Sequence, residues 1–211
     1  MRPFSHKTIT RAFLYIRILD DLIQNKEQYI SSQELSDISG LTDVQIRKDI
    51  SLFGKVGKPR VGYDTKELRD FLETFVLKNT VRAVLLGVGH LGQAILKYPG
   101  FQTDKIKIIA AFDKDKRKIS KKINGISIYG LKDSSRIIRQ SRAEIAIIAV
   151  PAPVAQEITD IIVKAGIKGI INFAPASVVV PQGVYVRNID LTIEFLSLFY
   201  DIRSSIKRRK A

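Results

Sequence analysis

The 211-residue sequence predicts an α/β fold, in which a small helical unit precedes a parallel sheet with helices on its faces. Three observations predict it. Residues 1–80 carry apolar residues at helical spacing, with turn residues where that spacing breaks. From residue 81, short apolar runs alternate with amphipathic segments, and a glycine-rich turn directly follows the first run. We therefore expect one domain over 1–80, a second over 81–188, and a terminal helix and basic tail over 189–211.

The N-terminal segment contains two predicted helices before its first glycine. Apolar residues at helical spacing predict an amphipathic helix over about residues 8–25: Ile9, Phe13, Ile16, Leu19 and Ile23. Ser31 or Ser32 can cap a second, short helix, and Glu34 stands at the capping-box position relative to Ser31. Gly40 then ends this helix.

A third helix is predicted from Asp43 to Phe53, with Thr42 as its N-cap. Its apolar positions suit an inner face: Val44, Ile46, Ile50 and Phe53. Its polar positions can point outward: Gln45, Arg47 and Lys48. The segment 54–63 then alternates basic, apolar and turn residues as a β-wing does, and Thr65 can cap a linking helix.

This order of elements predicts a winged helix-turn-helix that binds double-stranded DNA. The candidate DNA-binding residues are Ser31, Ser32, Gln45, Arg47, Lys48, Lys58 and Arg60. In the major groove an arginine can pair with guanine and a glutamine with adenine, whereas the two serines would hold phosphate or simply cap their helix. The alternative is a three-helix oligomerisation module whose basic residues are only a solvated face.

A Gly-x-Gly-x-x-Gly turn follows the first apolar strand of the second domain. Gly87 allows the tight turn, Gly89 lets the backbone approach a pyrophosphate, and Gly92 lets helix and strand pack closely. The amides of His90 and Leu91 open the next helix and would face the pyrophosphate. The motif predicts a dinucleotide site; the alternative is the same sheet with an empty crevice.

The remaining pattern predicts a Rossmann-like, doubly wound parallel sheet. The predicted strands are 81–87, 106–112, 126–129, 145–150 and 169–173, with helices near 91–97, 131–140 and 152–165. Asp113 closes the second strand, where it would accept hydrogen bonds from the adenosine ribose and repel a 2′-phosphate, which favours NAD(H) over NADP(H). A basic cluster argues the other way, unless it is only a solvated helix face: Lys114, Lys116, Arg117 and Lys118.

Composition limits the remaining classes of function. The net charge of +14 suggests a polyanionic partner, but residues 1–80 hold 13 Lys/Arg against 11 Asp/Glu, so most of the excess lies in residues 81–211. No cysteine is present, and the two histidines are far apart, which leaves little for a metal site. With no apolar run long enough for a membrane span, we expect a cytoplasmic protein without a membrane partner.

The last predicted helix extends from Asp190 to about Ile206 and is apolar around nearly its whole circumference. Such a helix cannot lie on the surface of a monomer. Insertion into a partner subunit is the simplest way to bury it, and a helix-turn-helix needs a dimer to read a two-fold symmetric site. We therefore expect a homodimer.

Across essentially its full length the chain resembles the Rex family of redox-sensing transcriptional repressors. The resemblance is carried by five segments: 31–35, 45–54, 87–92, 166–175 and 188–191. It implies a homodimer with domain-swapped C-terminal helices, which represses promoters when the NADH/NAD+ ratio is low and leaves DNA when NADH binds. The wing departs from the family pattern, because Pro59 occupies its tip and Arg60 is displaced by one residue.

A sensor of this kind must favour NADH over NAD+, whose nicotinamide ring carries a positive charge. An apolar pocket would do so, because burying a cation is costly. Its candidate lining residues are Tyr98, Val150, Pro151, Pro175 and, from the partner subunit, Leu191. The resemblance also suggests that Arg11 and Asp190 form an inter-domain pair in only one state; alternatively, Asp190 only caps its helix.

Two other functions compete with this interpretation. An NAD-dependent dehydrogenase is the enzymatic alternative, but no histidine or cysteine follows Asp113, and the nucleotide fold uses the residues that a substrate domain would need. Hydride transfer to small carbonyl compounds would reveal such an enzyme. The other alternative is a DNA-binding dimer that has lost its sensing, which titration of NADH into an operator complex would reveal.

Overall fold

A computed structural model describes residues 4–57, 61–76, 79–103 and 105–208 of the chain, with side chains described up to residue 204. The chain divides into two compact units, Met1–Asn79 and Thr80–Ala211. The first unit contains the predicted helices and the second contains the predicted parallel sheet, so the α/β fold class is confirmed. The further division at residue 188 stays a prediction.

The N-terminal unit is a helix-turn-helix with a small antiparallel ribbon. Its helices are α1 (His6–Gln24), α2 (Ser32–Ser39), α3 (Asp43–Phe53) and α4 (Thr65–Val76). Strands β1 (Tyr29–Ile30) and β2 (Tyr63–Asp64) pair antiparallel at the base of the predicted wing. The tip of that wing, with Lys58, Pro59 and Arg60, lies outside the described residues. A continuous core of aliphatic and aromatic side chains joins the four helices.

Three sequence expectations for this unit are wrong in detail. Val44 is 63% exposed and not on the inner face of α3, and Phe13 of α1 is also exposed. In α1 the buried ring is instead that of Tyr15, because its hydroxyl finds a buried partner, Asp49. Thr65 does not cap α4: its hydroxyl donates to the Glu27 carbonyl, and the Asp64 carboxylate accepts from the first turn.

The second unit is a seven-stranded sheet of Rossmann topology. In chain order its strands are β3 (Val81–Leu86), β4 (Ile106–Asp113), β5 (Lys122–Ile123), β6 (Ile126–Gly130), β7 (Ile145–Ile148), β8 (Gly169–Asn172) and β9 (Tyr185–Asn188). They lie in the order β5-β6-β4-β3-β7-β8-β9, and all pairs are parallel except the β5–β6 hairpin. The order reverses beside β3, which is where doubly wound sheets bind ligands. Helices α5 (His90–Lys97), α6 (Ser134–Ser141) and α7 (Ala152–Ala165) connect the strands.

The C-terminal helix α8 (Leu191–Arg208) exposes its apolar side chains in the single chain. Between one half and three quarters of each is accessible: Leu191, Ile193, Phe195, Leu196, Leu198, Phe199, Tyr200 and Ile202. No helix in the part of the chain that the structure describes is long and apolar enough to cross a membrane.

Candidate functional sites

A cavity of about 560 Å³ opens at the carboxyl ends of β3, β4 and β7, where the strand order reverses. The glycine turn forms one wall, and α7 contributes much of another. Its lining comprises Gly87, Gly89, Phe112, Asp113, Lys114, Lys118, Leu131, Lys132, Ala149, Val150, Pro151, Val154, Glu157, Ile158 and Ile161. The wall is mainly apolar with a few charged groups, as is common in cofactor sites.

The three glycines of the turn differ in what a side chain at each position would meet. Gly87 has φ +95°, and a Cβ there would lie 2.4 Å from the Ala149 carbonyl oxygen. A Cβ on Gly92 would lie 2.1 Å from the Gly87 carbonyl oxygen, so α5 could not pack against β3. Gly89 has ordinary backbone angles, and a Cβ there would meet nothing within 4 Å. The protein's own packing therefore accounts for Gly87 and Gly92, whereas Gly89 leaves open space beside the cavity.

Asp113 connects the glycine turn to the loop after β4. Its Oδ2 accepts from the Val88 amide at 2.8 Å and the Lys118 ammonium at 3.0 Å, while its Oδ1 accepts from the Asp115 amide at 2.8 Å. Burial alone would raise the pKa of Asp113, but these three donors outweigh it and hold the pKa below its ordinary value. Asp113 is therefore an ionised, buried acceptor at the cavity wall.

The structure places six of the predicted cofactor residues in the cavity wall: Gly87, Gly89, Asp113, Lys114, Val150 and Pro151. His90 and Leu91 begin α5 beside the turn. Tyr98 is 52% exposed and packs its ring against Phe101, and Pro175 is exposed; neither lines the cavity. Sequence reasoning missed the face of α7 that carries Val154, Ile158 and Ile161, although its helical apolar spacing was visible.

The three predicted DNA-reading residues of α3 differ in their exposure to solvent. Arg47 and Lys48 are exposed, whereas Gln45 is half-buried. The Arg47 guanidinium forms an ion pair with the Asp43 carboxylate at 2.5 Å and donates a hydrogen bond to the Ser32 hydroxyl at 3.1 Å. Ser32 therefore lies beside a predicted DNA-reading arginine.

Ser31 forms a complete capping box with Glu34. The Ser31 Oγ accepts from the Glu34 amide at 3.1 Å, and the Ser31 amide donates to Glu34 Oε2 at 2.7 Å. The hydrogen bond from the Ser31 amide lowers the pKa of Glu34. The capping role considered for Ser31 is thus visible, and its phosphate contact stays a prediction.

The residue of α3 that sequence reasoning missed is Asp49, whose side chain is only 1% exposed. Arg11 of α1 pairs with it through Nε and Nη2, the latter 2.7 Å from Oδ1, and Tyr15 Oη donates at 2.8 Å. Gln45 Nε2 donates to Oδ1 at 2.9 Å. Burial alone would raise the pKa of Asp49, but these donors outweigh it and hold the pKa low.

The two members of the predicted switch pair each have partners within their own unit. Arg11 is bound to Asp49. Asp190 lies just before α8, where its Oδ1 accepts from the amides of Thr192 at 2.9 Å and Ile193 at 3.3 Å. Asp190 therefore caps α8, as the alternative interpretation required, and its pairing with Arg11 stays a prediction.

Comparison with known protein families assigns the two units separately. Residues 4–51 match the putative DNA-binding protein N-terminus family, and residues 78–176 match the CoA binding domain family. The first match covers the helix-turn-helix, and the second covers most of the parallel sheet with its glycine turn.

Individual relatives cover the whole arrangement. The redox-sensing transcriptional repressor Rex of Carboxydothermus hydrogenoformans is 41% identical over 93% of this chain and 95% of its own length. That of Chloroflexus aurantiacus is 42% identical over 91% of each chain. Among solved structures, RSP in complex with beta-NAD+ and operator DNA is 32% identical, with a TM-score of 0.87 over 100% of this chain and 97% of that one.

The same neighbour has also been solved with beta-NADH, at 31% identity and a TM-score of 0.85, covering 100% of this chain and 99% of that one. These relatives are repressors and not enzymes, which rules out the dehydrogenase alternative. Helix-turn-helix, glycine turn and full-length similarity agree: this chain belongs to the Rex family of redox-sensing transcriptional repressors.

Proposed function

We propose that this chain acts as a cytoplasmic homodimer that binds operator DNA when NADH is scarce and leaves it when NADH enters the cavity beside the glycine turn. The observation that carries this proposal is the open space at Gly89. A glycine that its own protein does not need, next to a cavity and a helix N-terminus, is what a pyrophosphate requires for close approach.

The cavity also suits the rest of the dinucleotide. An ionised carboxylate has about four lone-pair sites. Three are occupied in Asp113, so one remains for a ribose hydroxyl. Its charge opposes a 2′-phosphate, which supports NAD(H) over NADP(H). The apolar wall would favour the neutral nicotinamide of NADH over the cationic ring of NAD+. The partner subunit's Leu191 would complete the pocket around that ring.

The exposed apolar surface of α8 supports dimerisation, because monomeric soluble proteins rarely leave so continuous an apolar helix in water. A second copy of the chain is the partner that symmetry favours, with α8 of each subunit exchanged into the other. Two copies also present two α3 helices, as a two-fold symmetric operator requires. Arg47 and Lys48 are exposed for base and phosphate contacts. The phosphate backbone of the DNA would be held by the remaining predicted residues: Ser31, Ser32, Lys58 and Arg60.

Release from DNA requires that NADH favour a conformation of the protein with low affinity for the operator. A shift of occupancy from 1:99 to 99:1 needs a preference of about 10⁴-fold between conformations, or about 5.5 kcal/mol. Arg11 offers a route, since it contacts α3 through Asp49. In one of the two states Arg11 would pair with Asp190, so that movement of α8 alters the hold on the DNA-reading helix.

The decisive experiment is titration of NADH into a complex of the full-length protein with labelled operator, with and without a fixed excess of NAD+. We expect release by NADH and opposition by NAD+. Equal calorimetric affinity for both nucleotides would contradict sensing and identify a DNA-binding dimer that has lost it.

The Asp190 contribution is tested with two variants. Asp190→Asn keeps a cap acceptor but removes the charge, whereas Asp190→Ala removes both. If the pair belongs to the switch, both variants shift the NADH concentration for half-release by about 10-fold, the effect of about 1.4 kcal/mol. If only Asp190→Ala shifts it, Asp190 is a cap alone.

A further inference from the structure

Asp49 lies within the DNA-reading helix but does not face solvent. Its buried carboxylate accepts four hydrogen bonds: two from Arg11, one from Tyr15 and one from Gln45, which lies one helical turn earlier on α3. Arg11 and Tyr15 both belong to α1. The same carboxylate therefore joins α1 to Gln45, a residue that the sequence predicts to read bases.

The chemistry of this contact fixes the orientation of the Gln45 carboxamide. An ionised carboxylate can only accept hydrogen bonds, so the Nε2 of Gln45, and not its Oε1, must face Asp49. One N–H of Gln45 is then occupied. The carboxamide keeps one N–H donor and the Oε1 acceptor for any other partner.

That remaining pair matches one purine and not the other. In the major groove adenine presents the N7 acceptor and the N6 donor, whereas guanine presents two acceptors, N7 and O6. A glutamine with both N–H groups free could turn its amino group toward guanine. A glutamine whose other N–H is held by a carboxylate offers a donor and an acceptor side by side, which adenine satisfies.

We propose that Asp49 is a positioning residue that makes Gln45 select adenine over guanine, and that Arg11 and Tyr15 hold Asp49 in place for this purpose. The inference rests on the proposed function, in which α3 enters the major groove. It adds a base-selecting role to side chains that make no contact with the DNA themselves. It also connects base selection to Arg11, the residue proposed for the redox switch.

The test uses the full-length protein and a set of operators in which each A·T pair is replaced in turn by G·C. Binding is measured by fluorescence anisotropy at one salt concentration. Gln45→Ala first identifies the base pair at which the adenine preference is lost. Arg11→Lys and Tyr15→Phe, which weaken the hold on Asp49 without removing it, are then compared at that position.

We expect both variants to reduce the adenine-over-guanine ratio about 3- to 10-fold at the Gln45 position and to leave the ratios elsewhere unchanged. Arg17→Lys is the matched control, since Arg17 is an exposed arginine of the same helix. Asp49→Asn should lose the whole preference if circular dichroism shows that it folds; if it does not fold, the two milder variants decide.

Two results overturn the inference, and they differ from each other. If Gln45→Ala removes a base preference but Arg11→Lys and Tyr15→Phe weaken all operators equally, Asp49 only supports the fold. If Gln45→Ala removes no preference anywhere, the proposed base reading by Gln45 is itself wrong.

Discussion

The two units of this chain hold their functional atoms in different ways. In the Rossmann unit the shape of the site comes from the backbone, since Gly87 and Gly92 sit where a single Cβ would meet a carbonyl oxygen at 2.4 Å or less. In the N-terminal unit the predicted DNA-reading side chains are held by other side chains: Arg47 by Asp43 and Gln45 by Asp49. One site is therefore fixed by sterics, and the other by a polar network.

This difference has consequences for how each site responds to change. The backbone of a tight turn can move little, so a new side chain there is tolerated only where space already exists. Side-chain contacts on an exposed helix exchange readily with DNA groups, and each contributes a modest free energy. We therefore expect the largest effects of substitution in the glycine turn and the smallest in the exposed Asp43–Arg47 ion pair of α3.

The first prediction contrasts two glycines of the same turn. Gly92→Ala places a Cβ 2.1 Å from a backbone oxygen, so we expect a loss of stability of about 2–3 kcal/mol together with the loss of NADH binding. Gly89→Ala meets nothing within 4 Å, so its melting temperature should stay unchanged while its affinity for NADH falls at least 10-fold. Thermal melts and calorimetry measure both. Unchanged NADH affinity in a folded Gly89→Ala protein would contradict the pyrophosphate assignment.

The second prediction concerns Arg47, whose planar guanidinium can bind a guanine edge with two hydrogen bonds. Arg47→Ala should cost about 1–3 kcal/mol at one operator position, a loss of roughly 5- to 150-fold. Arg47→Lys keeps the charge but not the fork, and should lose the same base preference while retaining more of the non-specific binding. Competition with unrelated DNA at fixed salt separates the two effects. A uniform loss on every sequence would assign Arg47 to phosphate instead.

The same contrast explains how much of the molecule the sequence predicts. The glycine spacing and the following helix predict the turn after β3, because Gly87 and Gly92 are local steric requirements, and Asp113 lies in the wall of the adjoining cavity. The lone antiparallel hairpin of the sheet was missed, although its Asn124-Gly125 turn, with both residues at positive φ, is a local signal of the same kind.

The polar network of α3 could not be predicted in this way. Asp49 looks like a solvent-facing charge in the sequence, and only the approach of α1 shows that it is buried with Arg11 and Tyr15. Tyr15 and Arg11 are 34 and 38 positions away from Asp49, so no short spacing reveals these two partners. Val44 was misplaced for the same reason: helical periodicity defines a face, but tertiary packing decides which edge of that face is covered.

The last prediction addresses the exposed ion pair between Asp43 and Arg47, whose side chains are 31% and 53% accessible. The proposed base contact requires Arg47 to leave Asp43, and a carboxylate near bound DNA would repel its phosphates. Asp43→Asn should therefore tighten binding to all DNA by about two- to five-fold, in keeping with the ~0.2–1 kcal/mol of an exposed pair.

The matched control for this prediction is Asp37→Asn, which makes the same charge change on α2, where the carboxylate accepts from Gln33. Equal tightening in both variants would mean that only net charge matters. Tightening confined to Asp43→Asn, and abolished when Arg47→Ala is added, would show that the carboxylate competes with DNA for the arginine. In that case the N-terminal unit limits its own affinity for DNA, because Asp43 holds Arg47 away from the bases.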